Sequence, residues 1–203
     1  MLHRTIIWSL RIRYLKCRGS AIDQWMTLRA LIFAPITEEL VYRSVLAPAL
    51  YLALTQATVL ASPAVAITYS PWTVVWVNPF WFGLAHVHHL IEKINTGWQV
   101  SQAVVSTLVQ LIYTSIFGFI ATLLLLRTGT IYTSILSHIV CNSVGLPDIS
   151  FMHAPGSGSS AHYSCMYSYR YLHLGLHAAG LVTFSLLILP FTEEYAEKSM
   201  YWF

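Results

Sequence analysis

Long runs without a single Asp, Glu, Lys or Arg alternate with short charged segments along this chain of 203 residues. The uncharged runs cover residues 44–91, 94–126, 128–147 and 171–192. A helix needs about 20 mostly apolar residues to cross a bilayer. Residues 103–126 and 172–191 meet that length, so each predicts one membrane-spanning helix.

Prolines and polar side chains divide the remaining uncharged sequence. Because proline breaks a helix interior, the four prolines within 44–91 predict the end of one helix, a turn near 60–72 and a second helix through 76–91. Residues 130–146 form a shorter helical stretch that carries polar side chains. None of these runs alternates apolar and polar residues as the strands of a membrane barrel do. The pattern therefore predicts an all-α, polytopic membrane helix bundle with about five transmembrane helices.

The composition agrees with lipid as the main solvent of the chain. Hydrophobic residues make up 56% and charged residues 9%, whereas an ordinary soluble domain has about 25% charged residues. Mean hydropathy is +0.61. Such hydrophobicity excludes disorder, and so little charge argues against a soluble globular domain. The net charge of +3 includes no basic stripe beyond the N-terminus, so we expect membrane lipid, and not nucleic acid, as a partner.

The distribution of charge also suggests domain boundaries. Six of the eleven Lys and Arg residues precede residue 30, and the positive-inside rule places this segment on the cytoplasmic side. A basic helix lying on anionic lipid would explain it equally well. We predict a basic N-terminal arm over 1–24, a membrane-embedded core over 25–195 and a C-terminal tail over 196–203. The three widely spaced cysteines predict neither a disulfide framework nor a zinc ribbon.

Ionisable side chains inside membrane helices are costly, so each is a candidate for function. The first cluster is Glu38, Glu39 and Arg43, which lie within an apolar frame. Glu39 and Arg43 are four residues apart and share a helix face, so we expect them to pair and to leave Glu38 free. A free carboxylate in such a site can act as a general base. A purely structural ion network at a helix end would use the same three residues.

The second cluster contains three histidines within four positions, His86, His88 and His89, followed by Glu92. Zinc prefers two or three histidines with a carboxylate, and Glu38 could supply that carboxylate. The H-E-x-x-H pattern of zinc proteases is absent. A wetted position at the membrane interface is the simpler interpretation of His88, and the role of His89 stays open.

The third cluster is His138 and Asn142, which are one helical turn apart. Both can donate hydrogen bonds, so a pair that faces a cavity could stabilise an oxyanion. Structural hydrogen bonds between membrane helices also commonly use these residue types. If the three clusters converge, Glu38 and His86 would activate a water beside this oxyanion site. That arrangement outlines a hydrolase that acts on a carbonyl within the membrane.

The motifs EExxxR, FxxxH and HxxxN occur here in this order. Their order resembles the type II CAAX prenyl endopeptidases, the Ras-converting membrane proteases of the intramembrane glutamate protease family. The resemblance extends to the flanking sequences TEELVYRSVL, PFWFGLAHVHHLIE and SILSHIVCN, and it covers about residues 30–192. The GLAHVHH run and the LRTG turn favour the eukaryotic branch of the family.

The resemblance implies an endopeptidase of the endoplasmic reticulum membrane that removes the last three residues of prenylated CAAX proteins such as small GTPases. The implied catalytic residues are Glu38, His86, His138 and Asn142. The first two would activate the water, and the last two would hold the oxyanion. The implied supporting residues are Glu39 and Arg43. The glutamate mechanism needs no metal, so we expect no metal and no other cofactor.

The sequence departs from the family pattern at its N-terminus. Family members usually have several membrane helices before the EExxxR helix, whereas 37 residues precede Glu38 here. We therefore expect the chain to lack the family's N-terminal helices, which could remove one wall of the catalytic cavity. Two alternatives stay open. One is a metal-dependent membrane protease with Glu38, His86 and His138 as ligands, and the other is a catalytically inactive truncated relative that acts as a membrane scaffold.

Overall fold

The computed structural model describes residues 21–61, 70–145, 152, 154, 165 and 167–202, with the side chains of 21–23 and 55–61 excepted. All regular structure in these residues is helical, which confirms the predicted all-α class. The predicted arm over 1–24 lies mostly outside them. The chain divides into two compact units, of which one comprises residues 1–144 and 195–203 and the other residues 145–194.

The described part of the first unit begins with a helix that contains two π-helical segments. Its segments are α1 (Ala21–Leu28), a π-helical segment (Arg29–Phe33), α2 (Ala34–Glu39), a second π-helical segment (Leu40–Leu46) and α3 (Ala47–Ala61). The residues at the junctions keep right-handed helical dihedral angles, so the chain does not break there.

Proline accounts for the position of both π-helical segments. Pro35 and Pro48 are the second residues of α2 and α3. Because proline cannot donate a backbone hydrogen bond to the preceding turn, the turn before each proline loses a regular bond. Such wider turns are frequent at functional sites. The first one precedes Glu38 and Glu39, and the second one contains Arg43.

Five further helical segments follow in this unit. They are α4 (Pro71–Leu84), a 3₁₀ turn (Ala85–Val87), α5 (His88–Asn95), α6 (Val100–Thr128) and, after a tight turn, α7 (Ile131–Val144). At the start of α4, the Ser70 side chain accepts a hydrogen bond from the Trp72 backbone at 3.4 Å, as an N-cap residue does. At the end of α6, Gly129 adopts φ = 66° and donates to the Leu125 carbonyl at 2.8 Å. This left-handed glycine allows α6 to end sharply and α7 to begin two residues later.

Helices α4 and α6 approach closely through small and polar residues. The Asn78 amide donates to Thr122 Oγ1 at 2.9 Å, and both residues are fully buried. The backbone of Gly118 faces Pro79, and a Cβ atom on Gly118 would lie 3.2 Å from the Pro79 Cα. Small residues with polar contacts are typical of helix pairs in membranes. Helices α4 and α6 together form the surface against which the first helix packs.

The residues after 195 return to the end of α6. Ser199 donates to the Leu126 carbonyl at 2.5 Å. The Trp202 ring lies 4.9 Å from the Arg127 guanidinium carbon and 5.2 Å from the Trp72 ring. These contacts hold the residues after 195 next to the tight turn between α6 and α7.

The second unit contains α8 (Arg170–Phe191), which is apolar and exposed along its length. The short helix α9 (Glu193–Ala196) follows where the chain passes back to the first unit. Two of the described helices, α6 with 29 residues and α8 with 22, are long and apolar enough to cross a membrane, which matches the predicted spans at 103–126 and 172–191. Helix α7 is apolar but shorter. The total of about five spanning helices stays a prediction.

We expect Gly118→Leu to destabilise the protein by about 1–3 kcal/mol, because overpacking a close contact forces the helices apart. A matched control is Gly180→Leu on α8, where a Cβ atom would meet nothing within 4 Å. Chemical unfolding in detergent micelles measures both variants. Equal stability of the Gly118 and Gly180 variants would contradict the close packing of α4 and α6.

Candidate active site

The centre of the site is an ion pair without any exposed surface. Glu39 and Arg43 are both 0% exposed, and Oε2 of Glu39 lies 3.1 Å from Nε of Arg43. These two atoms are not aligned for a hydrogen bond, so charge is the main attraction between them. The i, i+4 spacing predicts this pair, and the structure contains it. Its effect is to fix the end of α2 relative to the second π-helical segment.

The Arg43 side chain also joins the first helix to α4 and α6. Its Nη2 donates to the Gly118 carbonyl at 3.3 Å, and its guanidinium carbon lies 4.3 Å from the centre of the Phe82 ring. A guanidinium over an aromatic face gains a cation–π attraction. The absence of a side chain at Gly118 leaves room for this approach, since a Cβ atom there would lie 3.3 Å from Nη2.

His138 on α7 completes the buried network. Its Nδ1 lies 2.8 Å from Oε1 of Glu39. An ionised carboxylate only accepts hydrogen bonds. Nδ1 of His138 therefore carries a proton and donates a hydrogen bond to Glu39. The other ring nitrogen, Nε2, then points to Glu38, whose Oε2 is 3.8 Å away. Helices α2 and α7 are therefore joined by one histidine that contacts two adjacent carboxylates.

The two adjacent glutamates have different surroundings. The side chain of Glu39 is completely buried by Arg43 and His138, whereas 35% of the Glu38 side chain is exposed. Only Glu38 can therefore meet a water or a substrate without loss of the ion pair. This difference agrees with the expectation that Glu39 pairs with Arg43 and leaves Glu38 free.

His86 lies in the 3₁₀ turn after α4 and is half-buried. Its Nδ1 donates to the Phe82 carbonyl at 2.9 Å. Because a carbonyl only accepts, the neutral ring keeps Nε2 as a hydrogen-bond acceptor. The Phe82 ring lies between two histidines, with its centre 5.1 Å from His86 and 6.1 Å from His138. In the described part of the chain, His86 and Glu38 make no direct hydrogen bond.

Asn142 lies one turn beyond His138 on α7 and is exposed. Its amide donates to the Ala30 carbonyl in the first π-helical segment at 3.2 Å. The amide has two N–H groups, so one donor stays free of this bond. The structure thus places Asn142 at the edge of the cluster, next to His138 but outside the buried network.

Two aromatic residues were not among the predicted site residues, although one stands in the FxxxH motif. Phe82 is buried against Arg43 and both histidines, and Phe117 on α6 packs 4.5 Å from the His138 ring. The spacing FxxxH could have indicated Phe82, since it places both residues on one helix face. No sequence signal indicates Phe117, because its contact with His138 arises only from the packing of α6 and α7.

His88 and His89 belong to a separate, more exposed cluster on α5. The imidazole of His89 donates to Oε2 of Glu92 at 2.8 Å. This hydrogen bond holds the pKa of the exposed Glu92 carboxyl below its usual range. The predicted alternative gave Glu38 as the carboxylate partner of these histidines, whereas the structure places Glu92 beside them.

Together, the fold and the site define a class: a membrane helix bundle with a buried carboxylate–arginine–histidine network beside a half-exposed glutamate. A family model for type II CAAX prenyl endopeptidases, Rce1-like, matches residues 21–144. The chain belongs to this family. The matched region contains α1 to α7 and therefore every candidate catalytic residue.

The curated relatives agree with this family. The CAAX prenyl protease 2 of Arabidopsis thaliana is 33% identical over 178 residues, which are 86% of this chain and 46% of the relative. The human CAAX prenyl protease 2 is 32% identical over 123 residues, 60% of this chain and 33% of the relative. That of Caenorhabditis elegans is 30% identical over 125 residues, 62% of this chain and 41% of the relative. The chain spans less than half the length of these relatives. No solved structure matches it significantly.

We expect Glu39→Gln to destabilise the protein by about 3–5 kcal/mol, because it leaves the Arg43 charge buried without its partner. Glu38→Gln should have a much smaller effect on stability, since 35% of the Glu38 side chain is exposed and its contact with His138 Nε2 is as long as 3.8 Å. The double variant Glu39→Gln/Arg43→Met should recover part of the loss, because it removes both charges. Unfolding in detergent micelles compares the three. Similar losses for the two glutamine variants would contradict their different roles.

Proposed function

We propose that this chain is a membrane endopeptidase that removes the C-terminal tripeptide from prenylated CAAX proteins, with Glu38 as the general base. The observation that carries this proposal is the unequal burial of the two adjacent glutamates. Membership of the type II CAAX prenyl endopeptidase family supports the reaction class. The names of the relatives, CAAX prenyl protease 2, support the substrate class.

The attack on the peptide bond would use a water held beside Glu38. Glu38 takes a proton from this water, and the water oxygen adds to the scissile carbonyl. The neutral His86 ring keeps Nε2 as an acceptor, because its Nδ1 is engaged with the Phe82 carbonyl, so His86 can orient the second hydrogen of the water. When the tetrahedral intermediate collapses, the proton passes to the leaving amine and the tripeptide departs.

The negative oxygen of that intermediate needs hydrogen-bond donors. His138 presents Nε2 on the Glu38 side of its ring and donates from it when protonated. Asn142 has one N–H that is not used by the Ala30 carbonyl. Donors held in place before the reaction stabilise an oxyanion without reorganisation. Glu39 supports this arrangement because it holds Nδ1 of His138, and Arg43 holds Glu39 in turn.

The substrate class fits the physical setting of the site. A prenyl group anchors its protein to the membrane at about 0.8 kcal/mol per buried CH₂, so the scissile bond lies close to the bilayer surface. We propose the endoplasmic reticulum membrane as the location and prenylated CAAX proteins such as small GTPases as the clients. The proposed mechanism uses no metal and no other cofactor.

Two rival functions predict different observations. A metal-dependent protease would use Glu38, His86 and His138 as ligands, yet the described residues gather three potential ligands only at His88, His89 and Glu92. Chelator-sensitive activity that metal restores would favour this rival. An inactive scaffold would show no hydrolysis together with a stable complex with a partner protein. The geometry of the Glu38 site favours the metal-free hydrolase.

Glu38→Gln should abolish release of the tripeptide from a farnesylated CAAX peptide while the protein still accumulates in membranes. Loss of a general base typically costs a factor of about 10²–10⁴ in rate. The matched control is Glu197→Gln, which removes an exposed carboxylate outside the site and should leave the rate unchanged. Turnover per folded protein is measured in reconstituted membranes. Undiminished turnover by the Glu38 variant would eliminate its proposed role.

A further inference from the structure

The histidines next to the candidate active site form a cluster that the proposed hydrolysis does not use. His88, His89 and Glu92 lie on one side of α5, and each offers a potential metal ligand. One ligand atom from each residue lies within 4.8 Å of the other two. The rings of His88 and His89 are 4.0 Å apart at their centres. All three side chains are exposed or half-exposed, so an ion can reach them from water.

The hydrogen bonds of the cluster prepare it for a metal. Nδ1 of His88 donates to the Ala85 carbonyl at 2.5 Å, which leaves Nε2 of the neutral ring with a free lone pair. A histidine ligand commonly donates its other ring nitrogen to a carbonyl or carboxylate, which fixes the tautomer and the ring orientation. The Ala85 carbonyl has this role for His88.

His89 and Glu92 already have nearly the separation that two metal ligands need. Nδ1 of His89 and Oε2 of Glu92 are 2.8 Å apart and share one proton. Two ligands of a tetrahedral zinc ion, with bonds of about 2.0–2.1 Å, are ~3.3 Å apart. A metal that replaces the shared proton therefore requires the two atoms to separate by only about half an ångström.

Helix α5 is held firmly against α6, which gives the cluster a stable base. The ammonium group of Lys93 donates to Ser106 Oγ at 3.1 Å, to Thr107 Oγ1 at 3.4 Å and to Gln110 Oε1 at 3.3 Å. These three bonds use all donors of the ammonium group. Lys93 is thereby directed toward α6 and away from the metal ligands on its own helix.

We propose that His88, His89 and Glu92 form a binding site for Zn²⁺ or a similar divalent transition metal, separate from the catalytic residues. The ligand set is two imidazoles and one carboxylate, with the remaining position open to water, a combination that suits zinc and disfavours Mg²⁺. This site does not depend on the proposed protease function, because none of its ligands takes part in that mechanism.

The test is direct zinc binding to the full chain, purified with an affinity tag that contains no histidine and reconstituted in lipid nanodiscs. Calorimetric titration with Zn²⁺ should show one saturable site that excess Mg²⁺ does not displace. His88→Ala, His89→Ala and Glu92→Gln should each weaken this binding by more than about tenfold, since even the loss of an outer hydrogen-bond partner costs 10–100-fold.

The matched control is His177→Ala on α8. His177 is also an exposed helical histidine whose Nδ1 donates to a backbone carbonyl, that of His173 at 2.7 Å, and it lies outside the group formed by His88, His89 and Glu92. Its variant should bind zinc as the unaltered chain does. The proposal is overturned if no saturable site is found, or if the three cluster variants bind zinc as tightly as the His177 variant.

Discussion

Glu39 and Arg43 place a full negative charge and a full positive charge where neither side chain has any exposed surface. Burial of two charges is costly, and only their close approach and additional hydrogen bonds compensate for it. Each of them therefore depends on partners from other helices. Arg43 reaches the Gly118 carbonyl and the Phe82 ring, and Glu39 reaches His138. The three elements that carry the candidate chemistry are thus joined through one ion pair.

The same ion pair explains how two adjacent glutamates can have separate functions. Consecutive side chains on a helix point about 100° apart. When the Glu39 side chain points toward Arg43 and His138, the Glu38 side chain therefore points in a different direction. The π-helical turns on both sides of α2, each followed by proline, set the register in which this occurs. Structure and reactivity are therefore divided between neighbours, with Glu39 as the support and Glu38 as the proposed base.

Much of this arrangement can be predicted from the sequence, for clear physical reasons. The spans at 103–126 and 172–191 are recognisable because charged residues bound them, and the observed helices extend them by two or three residues at most. The Glu39–Arg43 pair follows from helical spacing. The hydrogen bond between His138 and Glu39 could not be predicted, because it joins residues 99 positions apart and the choice between two adjacent carboxylates depends on packing. The bond from Asn142 to Ala30 depends on tertiary structure in the same way. The contact of His89 with Glu92 is local, because these residues lie three apart on one helix, and helical spacing could have indicated it.

We infer that Glu38, and not Glu39, meets the reacting water opposite the donors on α7. An experimental structure with a CAAX peptide analogue that carries a tetrahedral phosphonate at the scissile position would test it most directly. We expect one phosphonate oxygen within hydrogen-bond distance of Glu38 and a second within reach of His138 Nε2 and the Asn142 amide, with the Glu39–Arg43 pair intact. A phosphonate that contacts Glu39 instead, or that binds away from His138, would contradict the assignment of Glu38 as the general base opposite His138.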